Sequence, residues 1–169
     1  MPEQAAEEGV GLRFETVQPK HADALAELFE RNSIAGVSTN FDPFPLTAVQ
    51  ARAIALDRHK DAYYLALRGG STIGMSMLRG FDEGYEIPSF GIFVDHKNQG
   101  RGIGRALTVW TIEQAHLRGC SAVRLSVYAK NNAARGLYAS LGFEEQERQQ
   151  VEGMDTSREK IIMRLDLGG

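Results

Sequence analysis

The sequence predicts a single mixed α/β (α+β) domain, antiparallel in its first half and parallel in its second. Two observations carry this expectation. Strand-like alternation and helix-like spacing succeed one another in the order β-α-α-β-β-β-α-β-α-β-β. Within that order Gly69-Gly70 joins two apolar runs as a hairpin, whereas later strands are separated by helices, as parallel neighbours require. A chain of 169 residues can bury one core, and no repeat, low-complexity stretch or linker divides it.

Residues 1–9 read as a disordered tail and 10–167 as the folded domain. Over 10–17, Val10, Leu12 and Phe14 alternate with Gly11, Arg13 and Glu15, a strand pattern. Pro19 opens a helix that carries Ala22, Leu25, Leu28 and Phe29 on one face. Residues 32–45 form a loop punctuated by NFDPFP, and Thr47 caps a second helix to about Arg58. The runs 62–68 and 71–79 are the hairpin strands. The acidic turn Asp82-Glu83-Gly84 leads to a strand from about Glu86 to Val94, then a glycine-rich turn and a helix to Arg118. A strand over 122–128, a helix over 131–141 and two strands over 143–150 and 160–167 complete the chain.

Composition excludes several classes of function. Hydrophobic content of 43% and charged content of 24% suit a soluble globular domain. A net charge of −3 provides no basic field for a nucleic-acid backbone or an anionic membrane. Cys120 is the single cysteine, so no internal disulfide or cysteine-rich metal site forms, and it reads as a small buried apolar residue. His21, His59, His96 and His116 lack ligand spacing such as HExxH, and no metal is assigned. The opening MPEQAAEEGVG is acidic without an apolar core, and no run reaches spanning length. The expectation is a cytoplasmic protein.

The segment IFVDHKNQGRGIGRALTVW runs from an apolar strand through a turn into an amphipathic helix. Gly100, Gly102 and Gly104 let successive N–H groups converge, and a helix N-terminus adds partial positive charge. Arg101 and Arg105 supply full charges beside them, which suits a pyrophosphate. The Rossmann pattern GxGxxG fails because Arg105 occupies the third glycine position, and GxxxxGK[ST] is absent.

A second segment, VRLSVYAKNNAARGLYASLGF, places Asn131 as a helix N-cap and Tyr138 two turns later on nearly the same face. Gly142 can end that helix in the left-handed conformation, with Phe143 folding back onto it. Taken together, the two segments resemble the GNAT superfamily of acyl-CoA-dependent N-acetyltransferases. Gln99, Gly102 and Gly104 meet the family's Gln/Arg-x-x-Gly-x-Gly/Ala turn, and Asn131, Ala134, Tyr138, Gly142 and Phe143 meet its second motif.

The resemblance implies a six- to seven-stranded mixed sheet, helices on both faces, and central strands that splay apart. Acetyl-CoA would be co-substrate, with no metal. Its pantetheine arm would lie in the gap like an added strand, bonded to the backbone of Ile92, Phe93 and Val94. Gln99, Gly100, Arg101, Gly102, Ile103, Gly104 and Arg105 would hold its pyrophosphate. Asn131 would contact the pantetheine, and Tyr138 would face the thioester sulfur as general acid, its phenol of pKa about 10 being protonated near neutral pH. Glu86 is the first choice of base, although the family's glutamate stands closer to the turn, where this chain has Pro88. Glu83, Asp82 or water are the alternatives.

The loop NFDPFPLT and the segment LRGFDEGYEIPSF would read the acceptor, and they resemble bacterial members associated with amino-sugar modification. Asp82, Glu83 and Glu86 would favour a cationic acceptor, and Phe41, Phe44 and Tyr85 would stack on a ring. The expected acceptor is the primary amine of a small molecule, for a monomer or homodimer without nucleic-acid or membrane partners. The alternatives are acetylation of protein N-termini or lysines, and a non-catalytic acyl-CoA-binding module.

Overall fold

Alternating apolar residues and the diglycine turn build the first half of the sheet. In the computed structural model, which describes residues 11–34, 41, 43–150 and 159–168, β1 (Leu12–Thr16) pairs antiparallel with β2 (Ala62–Arg68). β2 pairs with β3 (Ser71–Arg79), and β3 with β4 (Ser89–Val94), both antiparallel. The expected tail and Val10 lie outside the described residues. β4 starts three residues later than expected. Tyr85 N–H turns back to the Gly80 carbonyl, and Pro88 has no N–H to give a ladder.

Helices α1 (Ala22–Arg31) and α2 (Ala48–Leu56) cover one face of this half-sheet. Before α1, Pro19–His21 forms a 3-10 turn, and the Gln18 N–H donates to His21 Nδ1 at 2.9 Å. Thr47 caps α2, its hydroxyl accepting from the Gln50 N–H at 3.2 Å. Leu25, Leu28 and Phe29 of α1 are fully buried against Leu65 and Met75 of the sheet. Phe41 and Phe93 meet edge to face at 5.1 Å, as do Phe29 and Phe93 at 5.6 Å.

The opposite face takes α3 (Ile103–Leu117) and α4 (Asn132–Ser140). A buried hydroxyl pair, Ser76 to Thr111 at 2.6 Å, joins β3 to α3. β5 (Ala122–Tyr128) lies beside β4, and β6 (Glu144–Gln150) forms the far edge with every residue exposed. β7 (Glu159–Asp166) enters between β5 and β6, giving one seven-stranded sheet in the order β1-β2-β3-β4-β5-β7-β6. The second half is therefore less parallel than the sequence suggests. β7 runs antiparallel to both its neighbours, and parallel pairing is confined to β4 and β5. The α4 crossover carries the chain past the position that β7 later fills.

Candidate active site

β4 and β5 make a single ladder pair, Ser89 with Arg124, where the Arg124 N–H donates to the Pro88 carbonyl at 3.0 Å. Beyond it they part, and a cleft of about 770 Å³ opens between them. The ladder pattern fixes what lines it. The Asp95 N–H donates to the Ile73 carbonyl, so the backbone groups of Gly91 and Phe93 face β3. Those of Ile92 and Val94 face the gap. On the other wall the Ala129 N–H donates to the Glu159 carbonyl, so Val127 and Leu125 face β7 and the Ser126 backbone faces the gap. Of the strand residues expected to meet an extended ligand, Ile92 and Val94 thus present backbone, whereas Phe93 contributes its ring to the wall. Gly91 leaves room for the Met77 side chain across the ladder, since a Cβ there would lie 2.4 Å from Met77 Cε.

At the wide end of the gap the chain passes through a 3-10 turn, His96–Asn98, into α3. Gly102 is the N-cap with φ +78°, a left-handed conformation that side chains rarely adopt. Its missing side chain leaves the helix end uncapped. The first intrahelical bond runs from the Ala106 N–H to the Gly102 carbonyl, so the N–H groups of Ile103, Gly104 and Arg105 have no partner within α3. Gln99 and Gly104 line the cleft, and Gln99 donates to the Val94 carbonyl at 3.3 Å. Gly100 and Arg101 are exposed beside it, and the Ile103 side chain is packed in the core under α3. Arg105 reaches across to α4, where it donates to Ser140 Oγ at 2.9 Å.

A buried polar cluster that the sequence did not signal holds this turn. Asp95, 4% exposed, accepts from Arg31 Nε at 3.2 Å, Asn32 Nδ2 at 3.1 Å and Asn98 Nδ2 at 3.2 Å. Arg31 also donates to the Thr72 carbonyl, and Asn32 Oδ1 accepts from the His96 N–H at 2.8 Å. Burial pushes the Asp95 carboxyl up, but the Asn32 bond and the Arg31 charge outweigh it and hold it below the ordinary aspartate range. The cluster forms only on folding, because Arg31 and Asn32 stand 64 and 63 positions from Asp95.

Asn131 caps α4, its side chain accepting from the Ala134 N–H at 3.3 Å, and it lines the cleft. Tyr138 lines the same cleft, its ring edge to face with Phe143 at 5.7 Å and Phe90 at 6.1 Å. Its hydroxyl makes no hydrogen bond among the described residues. Burial pushes its pKa up to about 12, so the phenol is a protonated donor throughout the neutral range.

The acidic group expected at the acceptor side is not there. Glu86 is exposed, lies before β4 and does not line the cleft, and Glu83 is exposed on the turn ahead of it. Asp82 caps another loop, accepting from the Lys60 N–H at 2.7 Å and the Asp61 N–H at 3.2 Å, bonds that lower its pKa. The turn over residues 80–85 closes on its own backbone, which leaves Asp82 on the 60–61 loop and Glu83 exposed. Phe41 does line the cleft, but Phe44 is in the α1–α2 core and Tyr85 is 63% exposed. Arg79, Arg124 and Lys160 line the cleft instead, and among the described residues no carboxylate or histidine does. The signal for Arg124 was present as a charged residue between Val123 and Leu125, an alternation that marks an open strand face.

A backbone-lined gap between splayed strands, an uncapped helix end at its mouth and a buried phenol in its wall define an acyl-coenzyme A transferase architecture. The acetyltransferase (GNAT) family profile matches residues 22–143, and the chain belongs to that family. Ribosomal protein bS18-alanine N-acetyltransferase of Escherichia coli (strain K12) is 39% identical over 84 residues, which is 48% of this chain and 57% of that one. Mycothiol acetyltransferase of Kocuria rhizophila is 47% identical over 55 residues, covering 32% of this chain and 18% of the relative. The chain thus spans less than two thirds of these relatives. The fold is shared with a GNAT acetyltransferase of Streptococcus pneumoniae at a TM-score of 0.75 and 21% identity, over 93% of this chain and 99% of that one. It is shared also with yncA of Salmonella typhimurium, solved with its cofactor acetyl-CoA, at a TM-score of 0.75 and 19% identity over 93% and 94% of the two chains. No helix among the described residues is long and apolar enough to cross a membrane.

Proposed function

We propose that the chain transfers an acetyl group from acetyl-CoA to the primary amine of a small molecule, by direct attack and without a covalent enzyme intermediate. The observation that carries this is the gap that opens one ladder pair beyond Ser89 and Arg124, with Tyr138 in its wall. In this reading the pantetheine arm bonds to the Ile92 and Val94 backbone and passes Asn131, while the α3 end, with Gln99, Arg101 and Arg105, receives the pyrophosphate. The amine nitrogen attacks the thioester carbonyl carbon, the C–S bond breaks, and sulfur leaves with the electron pair. Tyr138 donates a hydrogen bond to that sulfur as its charge develops. The ammonium loses its proton to water in the open cleft, since the described lining offers no base.

The match to a bS18-alanine N-acetyltransferase favours a second reading, transfer to a protein N-terminus. Release of free coenzyme A, measured with a panel of small primary amines and with alanine-initiated peptides, separates the two. Faster transfer to the peptides overturns the small-molecule reading; transfer to neither class overturns both.

A further inference from the structure

Side chains that face one another across a ladder lie on the same face of a sheet. Arg79 pairs with Ser89, and Ser89 pairs with Arg124, so these three form a row across β3, β4 and β5. The row lies on the α1–α2 face, level with the point where the cleft begins. It is five strand residues from Val94, about 16 Å at about 3.3 Å per residue, and the phosphate turn lies beyond Val94. A coenzyme whose phosphates sit at α3 would bring its acyl end, not its charged end, to this row.

Of the two guanidinium groups, Arg124 has no counter-charge among the described residues and Arg79 is partly balanced by Asp61. Arg124 is exposed and its guanidinium makes no ion pair or hydrogen bond among the described residues. Arg79 lies over the Phe44 ring at 5.2 Å, donates to the Pro43 carbonyl at 3.4 Å and is 4.0 Å from Asp61. Its buried Nε has no hydrogen-bond partner. Asp61 Oδ1 accepts from the Gly80 and Asp82 N–H groups at 2.9 and 3.2 Å, and its Oδ2 faces Arg79 Nε. The next residue in the row, Arg164, is already paired with Asp166 at 2.8 Å, and Glu144 stands beyond it on β6.

Resting on the acetyltransferase reading above, we infer that the acceptor carries an anionic group, a carboxylate or a phosphate, beside its amine, and that Arg79 and Arg124 hold it. The same cations act on the amine. A like charge nearby disfavours the ammonium form, so they raise the fraction of free amine in a cleft whose described lining holds no carboxylate or histidine. A diamine would meet only repulsion there. Guanidinium also matches a carboxylate or phosphate through paired N–H bonds, which fixes the amine's direction of approach.

The test measures coenzyme A release with matched primary amines: β-alanine against its amide, glucosamine 6-phosphate against glucosamine, and a simple diamine. The anionic member of at least one pair should exceed its neutral partner in kcat/KM by about 10- to 100-fold, the range for a charge-assisted bond, and which pair does so assigns carboxylate or phosphate. Arg124→Gln should collapse that ratio, and Arg124→Glu should turn the preference toward the diamine. Acetyl-CoA affinity is measured by calorimetry on each variant. A ratio that persists in Arg124→Gln while acetyl-CoA binding weakens assigns the residue to the coenzyme and overturns the inference. Neutral and cationic amines acetylated as well as anionic ones also overturn it, but leave the acetyltransferase reading standing. No transfer to any amine overturns both.

Discussion

Tyr138→Phe removes one oxygen and nothing else of consequence to packing, because the hydroxyl makes no hydrogen bond among the described residues and the ring contacts with Phe90 and Phe143 remain. Its kinetic effect can be worked from the burial. A phenol held at about 12 by burial is a weaker acid than an ordinary thiol, so full proton transfer to the departing thiolate is uphill by several kcal/mol. Tyr138 therefore contributes mainly by donating a hydrogen bond to the departing sulfur. A bond to a charged group is worth about 1.5–3 kcal/mol, or about 10- to 150-fold in rate. Steady-state coenzyme A release should show kcat reduced by that factor, with acetyl-CoA affinity by calorimetry nearly unchanged. The stability sign follows from the same shift. The folded pKa lies above the unfolded value of about 10, so the native advantage is intact below pH 10 and is lost as pH rises toward about 12. The Phe variant should lack that increment of alkaline loss. Unchanged kcat would refute the catalytic role, and tyrosinate absorbance from residue 138 already complete near pH 10 would refute the burial argument.

Gly102→Val should abolish acetyl-CoA binding by calorimetry, because φ +78° is strained for a branched residue by about 1–2 kcal/mol and a turn relaxed out of it no longer aims the uncapped N–H groups at one point. Asp95→Asn should lower stability by about 1–3 kcal/mol in denaturant unfolding, since it breaks a buried, hydrogen-bonded ion pair with Arg31. The Asp95 pKa is depressed in the fold, so its contribution is present above the unfolded value near 4 and is lost on acidification through the folded value. The Asn variant should have a flatter acid limb. Glu86→Gln should give a pH–rate profile that superimposes on the parent, both rising as the amine deprotonates, because Glu86 stands outside the cleft.

How much of this was legible in the sequence depends on whether the cause was local. Hairpin glycines, the Thr47 and Asn131 caps and the 3.6-residue apolar spacing act within a few residues, and the elements they predict are present with ends shifted by a few positions. The glycine turn and the Asn131–Tyr138 spacing are local in the same way, and both segments reach one cleft. The placement of β7 between β5 and β6 was not legible, because strand order depends on which edge a late strand finds open. The acceptor wall was misjudged for a related reason. Asp82, Glu83 and Glu86 are near the cleft in sequence but on a turn that closes on its own backbone, whereas Arg79 and Arg124 meet only through lateral pairing of three strands.

A sheet that stops pairing in its middle must hold together by other means. One core lies under α1 and α2 against β2–β4, and the other lies on the opposite face and spans the gap, joining Ala62, Tyr64, Leu78 and Phe90 of the first half to β5, α4 and β7. α3 adds to that bridge, its Ile103 and Leu107 packing under the first half and its Ala115 in the spanning core. Neither core needs the missing β4–β5 bonds, so the backbone groups of Ile92, Val94 and Ser126 can face an open cleft and still reach solvent, where leaving them unmade carries no burial penalty. A ligand with alternating amide groups would recover those bonds as it displaced water. The gap is thus stable as a gap because each wall is finished on its far side, and both walls offer strand backbone of the kind an extended amide chain would pair with.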